Sequence, residues 1–305
     1  MRFSLIIPVA PYRDAEILGS ISKLDFSKKD YEIIVEKGTN ASENRNKGFE
    51  RSKGKILVFL DDDGVIEGDL LNRAEKFFRE NPEIDIVGGP QLTPLDEEGF
   101  AKISGYALSS KFGGWNTSNR YGKKKLNLNA DETCLTTAIM FCKREVMEKI
   151  KFDVRLWPGE DPKFITDAKK ENFKVAYSPD FIIYHRRRPT VKALIKQIFN
   201  YGRVCPLREK FSDTLKKPFF LIPSAFVLYI LFLVGFSMFG FTNFILFVPL
   251  ILYLLLDIEI FSVYESVKNR DWKGIFILPF VFPIIHLSYG LGWFYGCKQK
   301  IFRGH

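Results

Sequence analysis

Cysteine is scarce in this chain: four occur, Cys134, Cys142, Cys205 and Cys297, scattered and without metal-ligand spacing. They read as reduced thiols in a reducing compartment and exclude a disulfide scaffold. A glycine-rich basic loop after the first apolar run is also missing. That position reads Val9-Ala10-Pro11-Tyr12-Arg13, which counts against a nucleotidyltransferase that would cradle a triphosphate there. No glutamate follows Asp61–Gly64 at the spacing of a calcium loop. No nucleic-acid module is visible, so the net charge of +9 calls for another explanation. No signal-peptide pattern precedes the first strand, and the N-terminal part is therefore expected to stay in the cytosol.

What the chain does have is an apolar run, Ile56-Leu57-Val58-Phe59-Leu60, that ends abruptly in Asp61-Asp62-Asp63-Gly64. A buried strand ending in carboxylates puts fixed negative charge at the carboxyl edge of a sheet, where α/β folds bind ligands. Adjacent carboxylates repel unless they share a cation, so the cluster points to Mg²⁺ or Mn²⁺; a solvated acidic turn is the plainer alternative. Upstream, residues 3–8 form a strand stopped by Pro8 and Pro11, and residues 31–35 form a second. Arg45-Asn46-Lys47-Gly48 lies on a polar helix closed by Gly54. This alternation predicts an α/β fold with a mostly parallel central sheet and right-handed crossovers.

Further pieces follow in order: Ile6-Ile7-Pro8, Glu36-Lys37-Gly38-Thr39, Gly88-Gly89-Pro90, Lys143-Arg144-Glu145-Val146 and Gly159-Glu160-Asp161. Together with the Arg45 and Asp61 stretches they resemble the family 2 glycosyltransferases over residues 1–188. The resemblance implies a GT-A nucleotide-sugar-binding fold and an inverting, metal-dependent transfer from a UDP- or GDP-linked sugar. It implies Asp61 and Asp63 as the D-x-D ligands of Mg²⁺ or Mn²⁺. His185 either completes that site or closes a strand at the surface. Pro8, Val9, Ala10, Glu36, Gly38, Arg45 and Asp62 fall at the donor end. Asp161 is the implied general base with Glu160 in support; taken alone, the pair also reads as an acidic helix start. Trp157 falls on the acceptor side, or packs in the core. Two departures stand out: Glu36-Lys37 replaces the family's usual acidic pair, and the segment between Thr39 and Arg45 is short.

From residue 219 the sequence changes character. Residues 219–239, 244–263 and 275–296 are each about as long as a bilayer-spanning helix of roughly 20 residues. Asp257 and Glu259 interrupt the second, and Pro279 and Pro283 lie in the third. Arg186-Arg187-Arg188, Lys192, Lys196, Arg203 and Arg208 precede the first, which predicts a multi-pass protein of the cell membrane with the catalytic part on the cytoplasmic face. Lys268, Arg270 and Lys273 fit that side as well. The basic tail does not fit after three crossings, which leaves the third segment as re-entrant or as a span overruled by the first two. Residues 190–204 are amphipathic, with Val191, Leu194, Ile195 and Ile198 on one face and Lys192, Lys196 and Arg203 on another. Such a helix beside a span lies in the lipid headgroup layer, or else packs on the catalytic part.

The expected organisation is therefore a catalytic domain over 1–188, an interfacial segment over 189–217 and a membrane domain over 218–305 with two or three transmembrane helices. The stretches Gln197-Ile198-Phe199-Asn200-Tyr201-Gly202-Arg203 and His286-Leu287-Ser288-Tyr289-Gly290-Leu291-Gly292 resemble a membrane-anchored branch of the family that builds lipid-linked saccharides. This implies a polyprenyl- or other lipid-linked acceptor, with Gln197, Tyr201 and Arg203 on the acceptor or diphosphate side. Asn200 stands where the processive synthases carry the arginine of their Gln-x-x-Arg-Trp box, so processive polymerisation is not expected. A non-catalytic scaffold that kept only the fold is the remaining alternative, and Asp61, Asp63 and Asp161 argue against it.

Overall fold

The computed structural model describes residues 2–156, 158–208, 214, 217–240 and 243–303. The chain divides into two compact units, one built from Met1–Leu95 and Asn116–Arg186, the other from Asp96–Trp115 and Arg187–His305.

The first unit carries β1 (Phe3–Val9), β2 (Tyr31–Lys37), β3 (Ile56–Leu60), β4 (Gly64–Ile66), β5 (Ile86–Gly88), β6 (Gln91–Leu92), β7 (Ile139–Lys143), β8 (Val175–Tyr177) and β9 (Ile183–His185). Six of them form a sheet in the order β2-β1-β3-β7-β5-β8. All run the same way except β7, which is antiparallel to both neighbours. Successive residues of β3 serve opposite faces: Val58 and Leu60 belong to one core cluster, Leu57 and Phe59 to the other. That is why this strand reads as an unbroken apolar run rather than an alternating one.

β1 continues through Pro8, where the sequence pattern expected it to stop. Its pairing with β3 ends at Ile6, so Pro8 lies past that ladder and its missing N–H costs nothing there. β2 likewise runs two residues beyond the expected end, with Glu36 and Lys37 still in register with Pro8 and Val9. The helix Ala41–Arg51 starts at Asn40, whose side-chain oxygen accepts from the backbone N–H groups of Ser42 and Glu43. Gly48 lets this helix settle on the sheet, since a Cβ there would come within 2.4 Å of Ile6 Cγ2.

The second unit is helical. Its two longest apolar helices, Phe244–Lys268 and Lys273–Phe302, are long enough to cross a membrane; Ile222–Met238 is apolar but has 17 residues. The third segment is one continuous helix despite Pro279 and Pro283, about 46 Å long at 1.5 Å per residue. In the second, a π-helical turn over Leu256–Ser262 carries Asp257 inward, where it accepts from Ser262 Oγ at 3.0 Å, while Glu259 stays exposed.

The amphipathic stretch forms the helix Val191–Arg208 and packs along Lys273–Arg303. At the crossing Gly202 meets the Tyr289 carbonyl, Gly292 that of Phe199 and Gly296 that of Arg203, each leaving no room for a Cβ. Small residues at such spacing let two helix backbones touch. Leu194 and Ile198 are buried, whereas Val191 and Ile195, expected on the same face, are exposed. The stripe facing the partner helix is narrower than the apolar face in the sequence.

The helix Gly99–Ser109 also belongs to the second unit. Tyr106 Oη donates to Asp271 at 3.2 Å, and the Phe112 ring stacks on Phe261 with centroids 4.6 Å apart. The first 188 residues taken alone would therefore carry a helix without its partners from Val263–Lys268 and Lys273–Arg303.

Candidate active site

The carboxylate cluster sits where β3 leaves the sheet. The Asp61 N–H still donates to the Ala138 carbonyl, and the chain then turns into β4. β4 pairs antiparallel with β9 in a separate three-stranded sheet, and the register places Gly64 opposite His185. That pairing brings the histidine to the aspartates from the far end of the unit. Two glycines permit it. A Cβ on Gly64 would strike Ile183 Cδ1 at 2.2 Å, and one on Gly89 would strike the Phe181 carbonyl at 2.0 Å, on the segment leading into β9.

The Asp63 carboxylate is shared. Its Oδ1 lies 2.9 Å from His185 Nε2, and its Oδ2 accepts from Arg13 Nη2 at 2.9 Å. Asp61 Oδ2 is 3.8 Å from the same imidazole nitrogen. Burial pushes the Asp61 carboxyl above its ordinary range, with Arg45 and His185 pulling it back. Asp62 is pushed up to about 6 by burial and by the charge of Asp63. At Asp63 burial acts upward too, but the hydrogen bonds and charges of His185 and Arg13 outweigh it and hold this carboxyl below the usual range.

A second group of charges lies beside the first, joined to it by one side chain. Arg45, 4% exposed, donates from Nη1 to Glu160 Oε1 at 2.7 Å and from Nη2 to Asp61 Oδ1 at 3.4 Å. Its Nη1 is also 3.9 Å from Asp161 Oδ1. Burial works against the guanidinium charge, and the carboxylates of Asp161, Glu160 and Asp61 more than restore it. Glu160 and Asp161 open the helix Glu160–Lys170. Glu160 is buried, and burial followed by the neighbouring Asp161 charge raises its carboxyl. Asp161 is gripped by a single residue: Thr137 Oγ1 donates to Oδ1 at 2.6 Å and the Thr137 N–H donates to Oδ2 at 3.2 Å.

Removing Arg45 leaves three acidic groups around an uncompensated space. Arg45→Met is expected to cost about 3–5 kcal/mol, seen as a lower melting temperature of the detergent-solubilised protein. Arg45→Lys keeps the charge without the fork and should fall between. An unchanged melting temperature in the Met variant would show that the network carries no stability.

Asp61, Asp63 and His185 offer three ligand atoms that all lie within 4.8 Å of one another. With bonds of about 2.1 Å, donors on one cation stand roughly 3 Å apart at right angles and about 4.2 Å apart in trans, so separations of 2.9 and 3.8 Å fit one coordination sphere. The tautomer fits as well. His185 Nδ1 lies 2.9 Å from the Arg186 carbonyl, which can only accept, so Nδ1 carries the proton. Nε2 and Asp63 Oδ1 then face each other as two electron-pair donors that need a proton or a metal ion between them. Imidazole is in general a better ligand for Mn²⁺ than for Mg²⁺. Asp62, next to the ligands, keeps one buried oxygen without a hydrogen-bond partner among the described residues.

Of the residues expected at the donor end, Arg45 and Asp62 belong to the charge network at the end of β3, and the other five lie at the carboxyl ends of β1 and β2. Pro8 and Val9 close β1, Ala10 follows, and Glu36 is paired with Arg51 at 2.5 Å. The Gly38 N–H donates to the Val9 carbonyl, and a Cβ on Gly38 would meet Asn44 Oδ1 at 2.4 Å. Gln197, Tyr201 and Arg203 lie in the second unit. There Gln197 Nε2 donates to Tyr201 Oη at 3.1 Å, and Arg203 binds Asn200 and Gln299. Trp157 lies outside the described residues. Two residues the sequence reading passed over, Arg13 and Thr137, hold the key carboxylates. Arg13 follows the donor-end residues Val9 and Ala10 with no motif of its own, and Thr137 precedes an apolar strand with nothing local to mark it.

Comparison with known proteins follows the same line. The sequence model described as "Glycosyltransferase like family 2" matches residues 26–200, more than half of the chain. An "Uncharacterized glycosyltransferase" of Haemophilus influenzae is 32% identical over 73 residues, 23% of this chain and 25% of that protein. The match thus spans about a quarter of the relative's length. Among solved structures, the mannosyltransferase PcManGT from Pyrobaculum calidifontis, in complex with GDP-Man and Mn²⁺, superposes with a TM-score of 0.65 at 13% identity, covering 98% of this chain and 88% of that one. S. aureus TarS 1-349 gives a TM-score of 0.46 at 14% identity over 100% of this chain and 92% of that one.

Proposed function

The chain belongs to glycosyltransferase family 2 and has its GT-A fold, and from that premise we propose that it moves a sugar, with inversion, from a nucleoside diphosphate donor to a lipid-linked acceptor at the cytoplasmic face of a membrane. One observation carries the reading of the site. A metal-ligand constellation, Asp61, Asp63 and His185, and a carboxylate suited to be the base, Asp161, are tied into one charge network through Arg45.

In the reaction Asp161 takes the proton of the acceptor hydroxyl as its oxygen attacks the anomeric carbon, and the bond from that carbon to the diphosphate breaks on the opposite side. Thr137 holds the carboxylate by both oxygens and fixes its direction. Glu160 is pinned by Arg45 and by the Gly159 N–H, so its part is to position Arg45 and the start of its helix. Asp61, Asp63 and His185 would hold Mn²⁺ or Mg²⁺, which neutralises charge on the departing diphosphate. The carboxyl ends of β1 and β2, with Pro8 to Ala10, Glu36 and Gly38, take the nucleoside. The PcManGT complex holds GDP-Man, so GDP-linked sugars are the first donors to test and UDP-linked sugars the second.

The membrane part rests on the second unit. Phe232, Phe236, Phe244, Ile245, Leu252, Phe276 and Phe280 are all at least 40% exposed on its apolar helices, an outer surface that water does not tolerate and lipid does. The basic run Arg186-Arg187-Arg188 and Lys192 and Lys196, ahead of the first apolar helix, supports the cytoplasmic reading, and Gln197, Tyr201 and Arg203 are assigned to the acceptor side by the family resemblance. In membranes from cells making the protein, radiolabelled sugar from a GDP- or UDP-linked donor with Mn²⁺ is expected to appear in the organic-solvent extract, bound with inverted anomeric configuration. Release of pyrophosphate would favour a nucleotidyltransferase, and absence of any turnover a scaffold. Recovery of the full chain in the soluble fraction without detergent would remove the membrane part of the reading.

A further inference from the structure

Arg13 has no part in the function just described, yet it holds the central carboxylate of the cation site. It lies in the turn that follows β1, where its own N–H donates to the Ala10 carbonyl. From there its side chain, 46% exposed, reaches two aspartates, Nη2 to Asp63 Oδ2 at 2.9 Å and Nη1 to Asp62 Oδ1 at 3.5 Å. The other oxygen of Asp63 faces His185. A cation ligated by Asp63 is therefore separated from a permanent guanidinium charge by a single carboxylate.

Those two positive charges repel, and the exposed side of the guanidinium reduces the repulsion without abolishing it. An anion that ligates the cation changes the balance, because its charge attracts both. The guanidinium fork matches phosphate oxygens and, being half exposed at the end of a flexible side chain, is free to exchange Asp63 for them. Arg45 is no substitute for this role, since it is buried and already divided among Glu160, Asp61 and Asp161.

We propose that Arg13 is a counter-charge that makes cation binding and diphosphate binding cooperative. It occupies Asp62 and Asp63 while the donor is absent, opposing retention of the metal ion alone, and it moves to the diphosphate when donor and metal bind together. This rests on the reading of Asp61, Asp63 and His185 as the cation site. The consequence is reciprocal by linkage: the diphosphate tightens the metal by the same factor as the metal tightens the diphosphate.

The test uses the detergent-solubilised full chain and two titrations, Mn²⁺ alone followed by electron paramagnetic resonance, and GDP or UDP at saturating Mn²⁺ followed by calorimetry. Arg13→Gln is expected to bind Mn²⁺ alone about 3- to 30-fold more tightly, as a neighbouring positive charge is removed. The same variant should bind the nucleoside diphosphate at least about 10-fold more weakly, as a charge-assisted contact is lost. Arg13→Lys keeps the charge and should return the Mn²⁺ affinity to the parent value. The opposite signs are diagnostic, because a merely structural arginine would weaken both titrations or neither. Equal Mn²⁺ affinity in the parent and Arg13→Gln proteins, or weakening of both ligands, overturns the proposal. Absence of Mn²⁺ binding by the parent, with and without diphosphate, overturns the cation-site reading along with it.

Discussion

Asp161→Asn is expected to lower turnover by about 10²–10⁴-fold while donor affinity stays close to that of the parent protein. The substitution removes a proton acceptor and little else. Asp161 is held by two donors from Thr137, a hydroxyl and a backbone N–H. An asparagine can keep both contacts: its carbonyl oxygen accepts from the N–H, and its amide donates to the hydroxyl, which rotates to accept. Arg45 lies 3.9 Å from Asp161 but donates directly to Glu160, so the network that reaches Asp61 survives. Single-turnover kinetics should therefore show a slow chemical step on an enzyme that binds nucleotide sugar normally. Glu160→Gln makes the contrast. That side chain accepts from Arg45 and from the Gly159 N–H, so its loss should appear in the melting temperature as well as in rate. Normal turnover in Asp161→Asn with a dead Glu160→Gln would reverse the two roles, and full activity in both would place the base elsewhere.

How much of this could be read from the sequence depends on the range of the interaction. β2, the edge strand with Ile33 exposed, was visible by its β-branched residues. β1 and β3 were visible as short runs of branched and aromatic residues, because strands covered on both faces need no polar alternation. The carboxylate cluster was visible for the same reason, as an abrupt end to such a run. The reversal of β7 within the sheet was not, since nothing local distinguishes a buried antiparallel strand from a parallel one. His185 stood out only through family resemblance; what delivers it is the pairing of β9 with β4, a contact between distant segments. Arg45 sat in plain view on a polar helix. Its burial against three carboxylates was hidden because periodicity records apolar faces and is silent about a charged residue turned inward. The amphipathic pattern of Val191–Arg208 was legible, but its partner was not. The clue lay in Gly202, Gly292 and Gly296, which mark backbone contact between two helices only once both are placed. The helix Gly99–Ser109 gave no sign of leaving the first unit, because its partners come from a later part of the chain.

The largest binding effect is expected from Asp63→Ala, which should abolish Mn²⁺-dependent binding of the nucleotide sugar without unfolding the protein. Of the three candidate ligands Asp63 stands between the imidazole and a guanidinium: its two oxygens serve His185 and Arg13. Deleting it leaves Asp61 and His185 as the remaining pair. It also releases Arg13 onto Asp62, placing a positive charge beside a depleted site. Outer-shell partners alone are worth about 10- to 100-fold in metal affinity, so loss of a ligand should cost at least the upper end of that range. The fold should tolerate the change because Asp63 lies outside both core clusters of the first unit and, among the described residues, its carboxylate binds side chains, Arg13 and His185, and no backbone N–H. The melting temperature without metal is accordingly expected to stay near the parent's, in contrast to Arg45→Met, which strikes the buried side of the same network. Calorimetric titration of GDP- or UDP-sugar with and without Mn²⁺ separates the possibilities. A parent protein that binds only with Mn²⁺ and a variant that binds in neither condition supports the assignment. A variant whose Mn²⁺-dependent titration matches the parent's would take Asp63 out of the metal site and leave the acidic cluster as a solvated turn.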